Sequence, residues 1–126
     1  MKLDLDHFVI RVSDPERARG FYVGVLGAVP VELDRGRVGL RFGERQLNLH
    51  GPGSTPDPVA ATPAGPGSFD LCFVWPGTPE EAIAHLHSFA VEPELGPVPR
   101  VGARGPGTSV YFRDPDGNLL ELLSYA

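Results

Sequence analysis

The sequence predicts an α+β fold built from two copies of a βαβββ module. Three observations carry that prediction. Two apolar, β-branched runs are each followed by a helix-start signal, a similar peptide recurs just beyond both helices, and each half closes with a hairpin pattern. At 126 residues the chain is long enough to bury one sizeable core.

In the first half, residues 5–12 read as a strand rich in Phe, Val and Ile. Ser13-Asp14-Pro15-Glu16 then supplies a polar cap, an early proline and a first-turn carboxylate. Ala18, Phe21, Tyr22, Val25 and Leu26 follow at helical spacing, and Gly27 suits the left-handed residue that ends a helix, so a helix is predicted over 14–26. Residues 38–42 and 45–49 form the closing hairpin.

The second half repeats the plan. Residues 69–75 are the strand, and Thr78-Pro79-Glu80-Glu81 is a second capping box that opens a helix near 79–90. Ala28-Val29-Pro30-Val31-Glu32-Leu33 parallels Ala90-Val91-Glu92-Pro93-Glu94-Leu95. Strands over 109–112 and 118–122 are joined by the tight turn Asp114-Pro115-Asp116-Gly117. Modules over 1–50 and 68–126 are thus expected within a single domain, with a Gly/Pro-rich linker over 51–67. Residues 96–107 have no periodicity and read either as a long connection or as a lid carrying Arg100 and Arg104.

Composition narrows the function. A formal net charge of -5 argues against a nucleic-acid footprint, which needs clustered Lys and Arg on one face. The amino terminus shows neither a signal peptide nor a membrane anchor, so a cytoplasmic protein without membrane partners is expected. Cys72 is the sole cysteine and sits in an apolar run, where a buried structural thiol is the expectation.

The segments Leu5-Asp6-His7, 21–27, 46–50, 70–73 and 111–122 give the chain a wider likeness. Its sharpest part is Tyr111-Phe112-Arg113-Asp114-Pro115-Asp116-Gly117-Asn118 running into Leu120-Glu121-Leu122. In these features the chain resembles the vicinal-oxygen-chelate superfamily of glyoxalases, extradiol dioxygenases and bleomycin resistance proteins. More narrowly, it is similar to short glyoxalase-domain members described as virulence-associated or ring-cleavage-dioxygenase-like. The resemblance implies curved mixed sheets around a cup, a homodimer, a small-molecule substrate with vicinal oxygens, and a divalent metal (Mn, Fe, Ni or Zn).

Carried over by position, the metal places fall on His7, Asn48 or His50, Asp70 and Glu121. Leu47-Asn48-Leu49 superposes on Leu120-Glu121-Leu122, which makes Asn48 the counterpart of Glu121, and His7 pairs likewise with Asp70. The chain departs from the family pattern where Asp70 replaces a histidine and Asn48 a glutamate. Glu121 and Asp70 are the candidate catalytic carboxylates, and Arg11, Asn48, Arg100 and Tyr111 the candidate substrate contacts. The competing class is a metal-free drug-binding protein, in which Phe42, Trp75, Tyr111 and Phe112 would supply stacking surfaces.

Overall fold

The computed structural model describes residues 1–126 and divides into two compact units, Met1–Ser68 and Phe69–Ala126. The first contains β1 (His7–Arg11), α1 (Pro15–Leu26), β2 (Val29–Glu32), a single 3-10 turn (Asp34–Gly36), β3 (Val38–Phe42) and β4 (Arg45–His50). Its sheet runs β1-β4-β3-β2, with β1 parallel to β4 and the other pairs antiparallel. The second contains β5 (Asp70–Trp75), α2 (Pro79–Ser88), β6 (Leu95–Gly102), β7 (Gly105–Arg113) and β8 (Leu119–Ser124). Its order, β5-β8-β7-β6, and its strand directions are the same. The fold is therefore α+β with two βαβββ modules. No helix is long and apolar enough to cross a membrane.

Local chemistry accounts for both helices. Asp14 is the N-cap of α1, its Oδ1 accepting the Arg17 backbone N–H at 3.1 Å, and Gly27 ends the helix at φ 69°. Thr78 caps α2 by accepting from the Glu81 N–H at 3.2 Å while its own hydroxyl donates to the Glu81 carboxylate. The expected extent of α2, to residue 90, is two residues too long. Phe89 leaves helical geometry and Ala90 turns left-handed at φ 57°.

Each helix covers one face of its own sheet. Ala18, Tyr22 and Val25 of α1 are buried in the same unit as Ile10, Leu40, Leu47 and Leu49. In the second unit, Ala82 and Leu86 of α2 are buried with Val110, Phe112, Leu120 and Leu122. Because strand side chains alternate, the residues between these core positions share the opposite, helix-free face.

The Asp114–Asn118 turn explains why the most recognisable motif is so polar. Asp114 is buried and accepts from the backbone N–H groups of Asp116 and Asn118, each at 2.9 Å, and from Asn118 Nδ2 at 2.7 Å. Asn118, fully buried, then accepts from the Phe69 backbone N–H at 2.9 Å. The turn thus fastens the start of β8 to the chain entering β5, with every buried polar group partnered.

Residues 96–107 are neither a plain connection nor a lid. They belong to a β-hairpin, β6 with β7, joined at Gly102 and Gly105. Pro97 and Pro99 are tolerated because β6 is the edge strand and pairs only with β7. Gly102 and Gly107 leave room for Tyr125: a Cβ on Gly102 would overlap its hydroxyl, and one on Gly107 would stand 3.2 Å from its ring. Arg104 donates its backbone N–H to the same hydroxyl at 3.2 Å. Residues 51–69 carry neither helix nor strand.

Candidate functional site

Register places the candidate residues on the helix-free faces. In the second sheet, Cys72, Glu121 and Tyr111 lie side by side across β5, β8 and β7. Asp70 is on the same face one pleat away, beside Leu119. Glu121 is half-buried and accepts a hydrogen bond from the hydroxyl of Ser109, which is fully buried. Tyr111 accepts at its phenol oxygen from Arg100 Nε at 2.9 Å, and the Arg100 guanidinium lies 5.4 Å from the Tyr111 ring centroid. Glu121, Tyr111, Arg100, Ser109 and Asp70 therefore form one polar surface.

Cys72 departs from the expectation of a buried structural thiol. It is exposed, because the apolar run alternates and only Leu71, Phe73 and Trp75 face α2. Partial desolvation, the negative charges of Glu121 and Asp70, and a hydrogen bond to Glu121 push its thiol up to about 12. It is a protonated neighbour of Glu121 and no thiolate nucleophile at neutral pH.

In the first sheet, His7 pairs with Gln46, Val9 with Asn48, and Arg11 with His50. Asn48 also faces Gly39, so it holds the same station as Glu121 in the other unit. Gln46 Nε2 donates to Asn48 Oδ1 at 2.7 Å, and the missing side chain at Gly39 gives Gln46 its space. His7 Nδ1 is 2.7 Å from Asp6 Oδ1. That contact makes Nδ1 the donor and leaves the Nε2 lone pair as an acceptor.

His50 has another environment. It is buried, its Nε2 is 3.5 Å from Arg37 Nη1, and Arg11 is its register partner. Burial first, then the charges of Arg11 and Arg37, lowers its pKa. Two guanidiniums therefore oppose a divalent cation at this place.

Within neither unit do three or more His, Cys, Asp or Glu side chains form a cluster able to hold a metal ion by itself. His7 and Glu121 nonetheless have suitable donor chemistry. One has a free ring nitrogen oriented by a carboxylate; the other has a carboxylate oriented by a hydroxyl. Asp70 adds an exposed carboxylate on the Glu121 face.

The aromatic residues are distributed against a stacking cup. Phe112 is fully buried on the α2 side, and Trp75 packs its ring against His85 of α2, with centroids 5.1 Å apart. Phe42 shares its face with the buried Leu40. Of the four, only Tyr111 shares the Glu121 face. Ser109 was missed in the sequence, yet a signal existed. It lies two residues before Tyr111, and alternation puts both on one face.

Comparison with known proteins agrees with this architecture. The family model of the Glyoxalase/Bleomycin resistance protein/Dioxygenase superfamily matches residues 4–122. The glyoxalase domain-containing protein RDO1 of Mycosarcoma maydis is 45% identical over 121 residues, covering 96% of this chain and 68% of that protein. Virulence protein STM3117 of Salmonella typhimurium is 39% identical over 121 residues, 96% of this chain and 83% of that protein. Its solved structure superposes with a TM-score of 0.92, covering 100% of both chains. An integron cassette protein from V. cholerae is 42% identical with a TM-score of 0.92, covering 100% of this chain and 98% of that one. With its repeated sheet order and near-complete match, the chain belongs to the Glyoxalase/Bleomycin resistance protein/Dioxygenase superfamily.

Proposed function

We propose that the chain is an enzyme that acts, with a divalent metal, on a small substrate bearing vicinal oxygens. The observation that carries this reading is the Glu121 carboxylate, held by Ser109 on a polar sheet face beside Tyr111 and Arg100. A half-buried carboxylate fixed by a buried hydroxyl is costly to maintain as packing alone.

In this reading His7 and Glu121 each serve as a metal ligand, and Mn, Fe, Ni and Zn are the candidate ions. When bound, such an ion acts as a Lewis acid towards adjacent substrate oxygens. The chain's own residues do the rest. Ser109 fixes one oxygen of Glu121, leaving the other to hold the ion, and the Asp70 carboxylate on the same face takes the proton from a substrate C–H or O–H. Arg100 aligns the Tyr111 phenol, which in turn presents its O–H to a substrate oxygen. Asp70 supplies a second carboxylate at the exposed end of the same face. Asn48 and Arg11 contact the substrate from the first sheet. The alternative of a metal-free aromatic-binding protein is less favoured, because Phe42, Trp75 and Phe112 face the helices rather than the polar surface.

The test uses protein stripped of metal and resupplied with Mn(II), Fe(II), Ni(II) or Zn(II). It is assayed on thiol adducts of 2-oxoaldehydes and on substituted catechols. Turnover restored by one of these metals, and lost in both His7→Ala and Glu121→Gln, is the expected result. Metal-independent binding of a bulky aromatic ligand, with no turnover on any substrate, would overturn the reading.

A further inference from the structure

The first sheet carries polar groups that the proposed chemistry does not use, Arg37, Arg41, Gln46 and His50, beside some that it does. On its helix-free face Arg11, Arg37 and Arg41 are joined by His7, Gln46, Asn48 and His50, with no carboxylate on the strands of that face. His50 is the anomaly among them. It is 5% exposed, and its Nδ1 is buried without a hydrogen-bond partner. Arg37 Nη1 can only donate, so the 3.5 Å contact makes His50 Nε2 the acceptor and puts the ring proton on Nδ1. The orphan atom is therefore a donor.

Three donors consequently lie together with too few acceptors. Arg11 spends one N–H on the Ser54 backbone oxygen at 3.2 Å. Arg37 gives Nη2–H to Asp34 Oδ1 at 2.8 Å and Nε–H to the Asp34 backbone oxygen at 3.4 Å, besides its contact with His50, and Asp34 is itself an exposed residue on a one-turn 3-10 helix. Asp34 is thus an internal oxyanion already resting on one of these arginines. Arg37, Asp34 and Ser54 also line an open cleft of about 640 Å³, which gives a solute access to the Arg37 guanidinium and to the Ser54 backbone that Arg11 holds, although Arg11 and His50 do not line it themselves.

We propose that Arg11, Arg37 and His50 form an oxyanion-binding subsite that receives the carboxylate or phosphate group of an acidic small molecule. This deepens the proposed function, on which it rests for its role in substrate selection, by naming the substrate as an acid. The chemistry is that of acceptor-only groups: a carboxylate or phosphate oxygen takes N–H donors from both guanidiniums and from the imidazole, and offers no competing donor. Binding displaces the Asp34 carboxylate from Arg37, and an oxyanion that also takes the His50 N–H must reach a buried atom.

The test is imidazole ¹H–¹⁵N correlation spectroscopy on the full, ¹⁵N-labelled chain, titrated with inorganic phosphate in one arm and benzoate in the other. Sodium chloride at matched ionic strength is the control. The His50 ring nitrogens should shift saturably with at least one of the two anions and not with chloride. Arg37→Gln and Arg11→Gln, both at partly exposed side chains, should each weaken that binding by about tenfold or more. Asp34→Asn should tighten it by removing the internal competitor. No saturable shift with either anion, or undiminished binding in Arg37→Gln, would overturn the subsite. Neither probe involves metal or turnover, so this outcome is separable from failure of the enzyme reading. A chain that captures the oxyanion yet turns nothing over would sink that reading alone.

Discussion

Ser109 donates its hydroxyl to the carboxylate of Glu121 from the neighbouring strand, one pleat away from the direct register partner Tyr111. A buried hydroxyl in that place fixes the rotamer of a group that would otherwise have several. Ser109→Ala should lower Mn(II) affinity by roughly tenfold, in the range expected when an outer-shell partner is removed, and Ser109→Thr should retain most of it. Isothermal titration of the metal into both variants checks this. Equal affinity in wild type and Ser109→Ala would show that the hydroxyl only fills space.

Cys72 reports on the same carboxylate without any metal. Its thiol, pushed up to about 12, should alkylate slowly at neutral pH, with a rate that keeps rising through pH 10. Glu121→Gln removes the second-largest cause of that shift, so alkylation at a fixed pH should accelerate. As the only cysteine, Cys72 gives an unambiguous mass-spectrometric readout. An unchanged rate would mean that Glu121 does not face the thiol in solution.

His50 should make stability depend on pH. Its folded-state pKa is lowered, so between that value and the ordinary histidine value the unfolded chain binds more protons. Stability from this group is therefore complete above about pH 6.5 and declines as the pH falls below it, with a slope of at most about 1.4 kcal/mol per pH unit. Urea unfolding between pH 5 and pH 8, about the range where histidine titrates, should show this decline, and a stable His50→Gln variant should flatten it. A decline of equal steepness in that variant would assign the effect to other groups.

The Asp114–Asn118 clasp should be the most sensitive turn in the chain. Asn118→Ala removes the acceptor of the Phe69 N–H and one donor to Asp114 in a buried place. The expected loss is about 2–4 kcal/mol in chemical denaturation, against less than about 0.5 kcal/mol for the exposed Glu44→Ala.

Assembly is a separate expectation. The resemblance to short relatives implies a homodimer, and light scattering at micromolar concentration should give twice the 13.5 kDa chain mass. A single-chain mass would remove the dimer from the proposal.

Much of the fold was legible because its signals are local. Asp14, Thr78 and Gly27 cap or end helices through contacts within a few residues, and the Asp-Pro-Asp-Gly turn specifies itself. The equivalence of Asn48 and Glu121 was also readable, since a period of two needs only one correct register. The β6–β7 hairpin was hidden by its own composition. Its prolines look like loop residues until β6 is known to be an edge, and its glycines until Tyr125 is seen to occupy their space. The surroundings of His50 were hidden for a similar reason. Sequence alternation puts it on the right face, but only the fold brings Arg37 and Arg11 against it.

The shared station of Asn48 and Glu121 also bears on how such a protein can change. Val9 and Gly39 flank one, Cys72 and Tyr111 the other, and in both sheets the adjoining strand residues point away into the packed interior. Chemistry and folding are thereby written on alternate letters of the same strands. Descendants of the duplicated module can trade an amide for a carboxylate at one station while the hydrophobic letters stay untouched. The symmetry of the backbone then leaves each half free to drift towards its own reagent: cationic and amide-rich in one, acidic and phenolic in the other.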